Sequence, residues 1–204
     1  MPRLLAPLVP DALWSVPTEE RVAYLTFDDG PTQDLTRPIL HLLAEADVKA
    51  TFFLIGRYAK THPDLVRAIQ ASGHTIGNHS MTHPYPWAIS HEAMLRDAET
   101  GSKILEDITG ERIRYFRPPY GQLTGGLRRW CATYQQRCAM WDVAPADFLS
   151  WIGPIRVKEH ICRFVRPGSI IVLHDNPVAS TAVLPALPAV IQELKDEGWR
   201  FEAL

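Results

Sequence analysis

Two adjacent carboxylates, Asp28 and Asp29, follow the short apolar run 22–27 and stand directly before Gly30-Pro31. Neighbouring side chains of a strand point to opposite faces, but at its end, where Gly-Pro turns the chain, both carboxylates can converge on one cavity. One could then ligate a metal ion while the other accepts a proton. Considered alone, the same residues are explained better by an ordinary polar turn.

Two imidazoles, His79 and His83, stand four positions apart in a chain that contains eight histidines. If the segment between them forms one helical turn, both rings lie on the same side, a spacing that suits metal chelation. Pro84 disfavours the helical conformation for the residue before it, so the turn is predicted to end at His83. Considered alone, two surface histidines explain the spacing equally well.

Further polar side chains follow other predicted strands. Prolines 118 and 119 stiffen the backbone after Arg117 and Gly121 lets it turn, so a backbone N–H near Tyr120 could be held toward a cavity. Arg117 offers a planar fork that can bind a carboxylate through two bonds. His174 ends the most convincing strand of the chain, whereas Asp147 is the weakest signal of the set.

The combination is more informative than any of its parts. Two imidazoles and one carboxylate supply three ligands and leave an open position, which is typical of hydrolytic metal sites. A second carboxylate, a third histidine and an arginine then remain as base, acid and orienting group. Chance does not readily place such residues at five strand ends.

The elements that must position these residues alternate between strands and helices. Strands are predicted at 22–27, 51–55, 75–78, 114–116, 138–143, 169–173 and 199–204. Helices are predicted over 34–46 with Asp34 as N-cap, from Asp64 to Gly73, from Ser90 to Gly110, over 124–134 and over 154–166, and a final helix ends at Gly198. Strands that are apolar throughout and separated by helices predict a parallel sheet. An open doubly wound sheet and a closed barrel both fit the pattern, and in either the polar residues lie on the rim where active sites form.

Length and composition exclude several classes of protein. The 204 residues fit a single domain, 1–204, with residues 1–20 as an extended lead-in. A hydrophobic fraction of 46% and a charged fraction of 22% are ordinary for a globular chain, which excludes disorder. A net charge of -2 without a cluster of lysines and arginines argues against a nucleic-acid partner.

No apolar run approaches the length of about 18 residues that spans a bilayer, so no transmembrane segment is expected. The first residues lack a clean signal-peptide cleavage site, and a cytoplasmic location is therefore expected. Cys131, Cys138 and Cys162 fit none of the usual zinc spacings and are expected to act as small buried hydrophobes. Nothing in the sequence indicates the oligomeric state.

The same polar residues, in the same order, resemble the polysaccharide deacetylases of carbohydrate esterase family 4, the NodB homology domain, from about Val22 to the C-terminus. Four stretches are similar to the family's first, second, third and fifth motifs: Thr-Phe-Asp-Asp-Gly-Pro at 26–31, His-Ser-x-x-His at 79–83, Arg-Pro-Pro-Tyr at 117–120 and Leu-His at 173–174. The fourth motif departs, because Phe148 follows Asp147 where the family has tryptophan. Phenylalanine keeps an aromatic wall but loses the indole N–H, which affects substrate packing more than catalysis.

The resemblance implies a fold and a metal site. The expected fold is α/β, a distorted (β/α) barrel of about seven parallel strands. Asp29, His79 and His83 are expected to bind one divalent metal ion, with zinc favoured and cobalt or nickel as alternatives. Asp28 is expected to take a proton from the attacking water, and His174 to protonate the departing amine.

The resemblance also assigns supporting roles. The backbone N–H of Tyr120 is expected to hold the oxyanion, Arg117 to fix Asp28, and Asp147 to pair with either Arg117 or His174. Pocket-lining positions are expected at Pro119, Leu173, Trp141 and Phe148.

The expected function is metal-dependent removal of N-acetyl groups from a polysaccharide or oligosaccharide that contains N-acetylglucosamine. Because base and acid are different groups, a bell-shaped pH profile is predicted. The alternatives are an O-acetyl (xylan) esterase or another amide hydrolase with the same site, and a non-catalytic glycan-binding homologue. Trp87, Trp151 and Phe148 could stack on sugar rings, although each could equally serve ordinary packing.

Overall fold

The computed structural model describes residues 9–85 and 87–204. Its strands are β1 (Val22–Asp28), β2 (Thr51–Leu54), β3 (Thr75–Asn78), β4 (Tyr115–Phe116), β5 (Arg137–Cys138), β6 (Ile170–His174) and β7 (Arg200–Phe201). Its α-helices are α1 (Gln33–Glu45), α2 (Gly56–Thr61), α3 (Pro63–Ala71), α4 (His91–Thr109), α5 (Gly125–Thr133), α6 (Pro154–Phe164) and α7 (Ser180–Asp196), and a 3₁₀ turn spans Pro119–Gly121.

All seven strands pair in parallel, and β1 lies near the centre with every residue buried. The strand order is β5-β4-β3-β2-β1-β6, and β7 pairs with the start of β1. Beyond β5 the chain curls back, because Val143 forms a single bridge with Ile171 of β6. The sheet is thus a half-barrel surrounded by helices, which confirms the predicted distorted (β/α) barrel.

The helices cover the sheet with their apolar faces, as their sequence period predicts. In α1 the buried side chains include Leu35, Ile39 and Leu43, at helical spacing. The predicted boundaries of α4 are confirmed: the Ser90 hydroxyl accepts a bond of 3.2 Å from the Ala93 N–H, and Gly110 ends the helix in the left-handed conformation with φ 69°.

Several predicted boundaries are wrong. Helix α1 begins at Gln33 with Thr32 as its N-cap, so Asp34 lies in the first turn and is not the cap. Helix α2 was not expected, because its six residues are too few to show a period. The strand predicted over 138–143 is regular only to Cys138, since the chain then moves from β4 toward β6. The closing strand is limited to Arg200–Phe201.

The predicted lead-in, 1–20, lies partly outside the described residues, at positions 1–8. Within its described part, Leu13 and Ser15 form single bridges with Ala139 and Ser169. Cys131 and Cys138 are buried, and Cys162 is partly exposed. In the described ranges, no helix has both the length and the apolar character needed to cross a bilayer.

Candidate active site

The strand register gathers the polar residues at the carboxyl ends of the strands. Asp28, the last residue of β1, stands opposite His174, the last residue of β6. Asn78 at the end of β3 stands opposite Phe116 at the end of β4, so His79 and Arg117 leave the sheet side by side. Because parallel strands end at one rim, residues far apart in sequence meet there.

Asp29, His79 and His83 offer three ligand atoms that all lie within 4.8 Å of one another, and we call these residues the metal triad. The Asp29 Oδ1 atom is 3.5 Å from His79 Nε2 and 3.4 Å from His83 Nε2. Tetrahedral coordination with bonds of about 2.1 Å separates ligand atoms by about 3.4 Å. The donor set therefore fits one divalent ion in both chemistry and spacing.

The protonation of the metal triad also suits a cation. His79 Nδ1 is 2.8 Å from the Arg117 carbonyl oxygen, so Nδ1–H donates to that oxygen and the Nε2 lone pair faces the triad. Burial and the neighbouring His79 lower the pKa of His83 to about 4, although Asp29 and Asp28 act in the opposite direction. Burial tends to raise the pKa of Asp29, but the surrounding histidines, His174 among them, and the bond from Asn176 outweigh burial and lower it. Neutral imidazoles and an ionised carboxylate are the forms that bind metals.

The predicted helical turn between His79 and His83 is wrong. Ser80 and His83 both adopt left-handed backbone conformations, with φ of 68° and 56°. The Ser80 hydroxyl accepts a bond of 3.0 Å from the His83 N–H, and the carboxylate of Asp97 accepts bonds from the backbone of Met81 and Thr82. This compact loop reverses the chain, so that the two imidazole ring centres lie 4.8 Å apart without a helix.

Asp28 lies beside the metal triad and is 3% exposed. Its Oδ1 accepts a bond of 2.7 Å from Arg117 Nη1, and its Oδ2 lies 3.9 Å from His79 Nε2. Arg117 is fully buried, and its remaining bonds go to Thr26 Oγ1 and to the carbonyl groups of Ala139 and Met140. Such a fixed guanidinium orients the carboxylate as a charge-assisted pair.

His174 pairs with Asp147. Of the two partners expected for Asp147, Arg117 and His174, it is therefore His174 that Asp147 contacts. His174 Nδ1 is 2.9 Å from Asp147 Oδ1, and the backbone N–H of His174 donates to Asp147 Oδ2 at 2.8 Å. Burial opposes the charge on the imidazole, but the bond and charge of Asp147, with Asp28 and Asp29 nearby, raise the pKa of His174 to about 9. The ring is therefore protonated at neutral pH.

Three aromatic side chains form a continuous group on the His83 side of the rim, here named the aromatic platform: Tyr85, Trp87 and Tyr120. The Tyr85 and Tyr120 rings are stacked with centres 4.9 Å apart, and the Trp87 ring is 5.5 Å from Tyr85. The Tyr120 ring meets His83 edge-on at 4.6 Å. Trp87 is nevertheless 72% exposed, so a flat apolar surface faces solvent beside the metal triad.

The residues predicted to line the pocket lie in different environments. Phe148 is half exposed and its ring lies 5.1 Å from that of His174. Leu173 and Pro119 are buried, and Leu173 packs in the main core. Trp141 packs under the turn at Gly121, where an added Cβ atom would lie 2.8 Å from the indole. Their roles toward a substrate remain predictions.

Asn176 is a site residue that sequence reasoning missed. Its Nδ2 donates a bond of 2.8 Å to Asp29 Oδ2, so Oδ1 of the carboxylate remains directed at the histidines. Its own Oδ1 accepts bonds from the backbone N–H groups of Val178 and Ala179, which fixes the orientation of the amide. The Asn-Pro pair after His174-Asp175 indicated only the start of a loop.

Asp175 is a second missed residue. It is fully buried and accepts bonds of 2.7 and 2.5 Å from the hydroxyls of Thr32 and Thr36. Its backbone N–H donates to the Asp28 carbonyl at 2.7 Å, so it fastens the end of β6 to the end of β1. Burial raises the pKa of Asp175 to about 6, despite the two hydroxyl donors.

The sequence model of the family described as polysaccharide deacetylase matches residues 15–137, more than half of the chain. The chain belongs to the polysaccharide deacetylase family. It is thus a hydrolase. Two solved structures to which the chain is similar are described as members of carbohydrate esterase family 4.

Three similar proteins cover nearly all of this polysaccharide deacetylase. A peptidoglycan-N-acetylglucosamine deacetylase of Bacillus cereus is 34% identical over 92% of the chain and 88% of its own length. A chitooligosaccharide deacetylase of Sinorhizobium fredii is 36% identical over 89% of each chain. The crystal structure of a peptidoglycan N-acetylglucosamine deacetylase superposes with a TM-score of 0.89 at 30% identity, covering 94% of this chain and 89% of that one.

Proposed function

We propose that this polysaccharide deacetylase removes N-acetyl groups from a polysaccharide or oligosaccharide that contains N-acetylglucosamine, and that it needs a divalent metal ion to do so. The observation that carries the proposal is the pairing of two candidate proton-transfer groups beside the metal triad. Asp28 is held by the buried Arg117, and His174 by the buried Asp147. The names of the two relatives, which describe peptidoglycan and chitooligosaccharide deacetylases, support the same substrate class.

Asp29, His79 and His83 would hold the ion, and their nitrogen and oxygen donors favour zinc, with cobalt or nickel as alternatives. When bound, such an ion supplies Lewis acidity to the acetyl carbonyl and eases the deprotonation of water. Asn176 and the Arg117 carbonyl orient two of the three ligands, so the geometry is prepared before the ion binds.

Asp28 acts as the general base. Arg117 occupies its Oδ1, so Oδ2, which lies on the side of His79, is the atom that takes the proton from the attacking water. Burial of the pair excludes bulk water and keeps the carboxylate in one orientation.

His174 acts as the general acid. Asp147 holds Nδ1–H, which leaves Nε2–H to protonate the departing amine nitrogen. The raised pKa, about 9, keeps this proton in place at neutral pH. An amine is a poor leaving group unless it is protonated, so the charged histidine matches removal of an N-acetyl group.

The surface around the site suits a sugar polymer. The aromatic platform presents flat rings on one side of the rim. The ring of half-exposed Phe148 lies 5.1 Å from that of His174, and Trp151, three residues further along the chain, is 72% exposed. Aromatic faces pack well against the C–H faces of sugars while leaving the hydroxyls hydrated. An oligosaccharide is therefore a better match than a small free amide.

The proposal is tested by measuring acetate release from N-acetylglucosamine oligomers, peptidoglycan and acetylated xylan. The expected result is release from the first two, loss of activity with a chelator, and recovery with zinc, cobalt or nickel. The matched control is Asp28→Asn, which should reduce the rate by at least about 100-fold. Activity confined to acetylated xylan would instead favour the O-acetyl esterase alternative, and full activity of Asp28→Asn would refute the assignment of the base.

A further inference from the structure

A cavity of about 410 Å³ opens beside Asp29, His83 and Asn176 at the active site. It continues between the start of α1, helix α2 and the loop after β6, where Gln33, Arg57 and His62 line it. We call this cavity the side cleft. Small-molecule sites typically have volumes of about 300–1,000 Å³, so the side cleft has room for one substituent of a sugar.

The side cleft has an excess of positive charge over negative. Of the residues that line it, Asp29 alone carries a carboxylate, and as a metal ligand its charge would be neutralised. Arg57 is permanently charged, and the His62 ring adds a nitrogen that can hydrogen-bond. A cavity with this lining attracts an anion more strongly than a neutral group.

Arg57 is exposed, and its guanidinium contacts its neighbour in the chain, Tyr58. Its guanidinium lies 4.6 Å from the centre of the Tyr58 ring, and Nη2 donates a bond of 2.9 Å to the Tyr58 hydroxyl. That bond uses one of about five N–H donors, so the planar fork retains donors for a carboxylate. Burial raises the pKa of Asp97, and the charge of Arg57 partly offsets that rise. The Asp97 carboxylate accepts bonds from the backbone N–H groups of Met81 and Thr82.

We infer that the side cleft binds a carboxylate carried by the glycan, close to the sugar that loses its acetyl group. This inference rests on the proposed function and refines its substrate class. It favours an acidic acetylated glycan, such as one whose alternate sugars bear a lactyl ether carboxylate, over a neutral N-acetylglucosamine polymer. Arg57 would bind the carboxylate through two N–H groups.

The experiment compares two substrates that differ only in charge. The first is an oligomer of alternating N-acetylglucosamine and N-acetylmuramic acid with free lactyl carboxylates, and the second is the same oligomer with these carboxylates converted to methylamides. The expected kcat/KM of the wild-type enzyme is about tenfold higher for the carboxylate form, the worth of one charge-assisted contact. Arg57→Gln should reduce this ratio to near one. Lys60→Gln, which removes an exposed charge from the same helix outside the cleft, should leave the ratio unchanged.

A second measurement separates failure of this inference from failure of the proposed function. Zinc-loaded Asp28→Asn protein is titrated with each oligomer by calorimetry, with and without Arg57→Gln. Tighter binding of the carboxylate form that depends on Arg57 supports the side cleft as a carboxylate site. This holds even if neither oligomer loses acetate to the wild-type enzyme, since missing acetate release would overturn only the proposed function. Equal binding of both forms, or a preference that survives Arg57→Gln, overturns the side cleft as a carboxylate site.

Discussion

Replacing Asn176 with serine is expected to weaken zinc binding by about 10- to 100-fold. The asparagine amide donates a bond of 2.8 Å to Asp29 Oδ2 and accepts bonds from the Val178 and Ala179 N–H groups. Serine can still accept from those backbone groups in a local turn, but its side chain is too short to reach Asp29. The substitution therefore removes the bond to the metal ligand and little else.

The size of this effect follows from the type of bond. A hydrogen bond to a charged group contributes about 1.5–3 kcal/mol, and about 1.4 kcal/mol corresponds to a factor of ten in affinity. Asp29 also adopts a left-handed backbone conformation, with φ 76°, which a non-glycine residue keeps only when its surroundings hold it. Without the amide, the carboxylate can rotate and lose the orientation in which Oδ1 faces both histidines.

The assay is a competition titration of zinc between the protein and a chromophoric chelator at constant pH. Asn176→Ala is the matched variant, because it also removes the acceptor for Val178 and Ala179. Both variants should lose a similar amount of zinc affinity, while only alanine should lower the unfolding free energy of the metal-free protein, by about 1 kcal/mol.

Wild-type zinc affinity in Asn176→Ser would refute the orienting role, provided that Asp29→Asn binds zinc much more weakly. If Asp29→Asn also retains wild-type affinity, the metal triad is not the zinc site. The two outcomes are distinct, since the first removes one support and the second removes the ligand set.

Three further predictions concern the other parts of the site. In Asp147→Asn the alkaline fall of kcat/KM should move from about pH 9 toward about pH 6.5, because Asp147 raises the pKa of His174. In the wild type, the stability that the His174–Asp147 pair contributes is complete below about pH 6.5 and is lost as the pH rises through about 9. Denaturation measured as a function of pH checks this window. Arg117→Met should lower the unfolding free energy by about 3–5 kcal/mol in denaturant melts, because it leaves Asp28 charged, unpaired and 3% exposed. Trp87→Ala should raise KM for long oligomers about 2- to 10-fold with little change in kcat, since only stacking is lost, and an unchanged KM would argue against the aromatic platform as a sugar-binding surface.

The sequence by itself determined the chemistry and most of the elements. The paired carboxylates at the end of β1 and the imidazole at the end of β6 could be located because apolar runs and Gly-Pro signals mark strand ends locally. The start and stop of α4 were equally readable, since Ser90 and Gly110 act on backbone groups within one turn of the helix. Such features depend on neighbours in the chain.

Only the tertiary structure decided which residues become partners. The backbone between His79 and His83 is a loop with two left-handed residues, because contacts with the carboxylate of Asp97, on another element, outweigh the local preference for a helical turn. Asp147 bonds His174 and not Arg117, a choice that depends on how the chain moves from β5 to β6. These pairings join residues far apart in sequence, and they exist only once the parallel register has brought the strand ends to one rim.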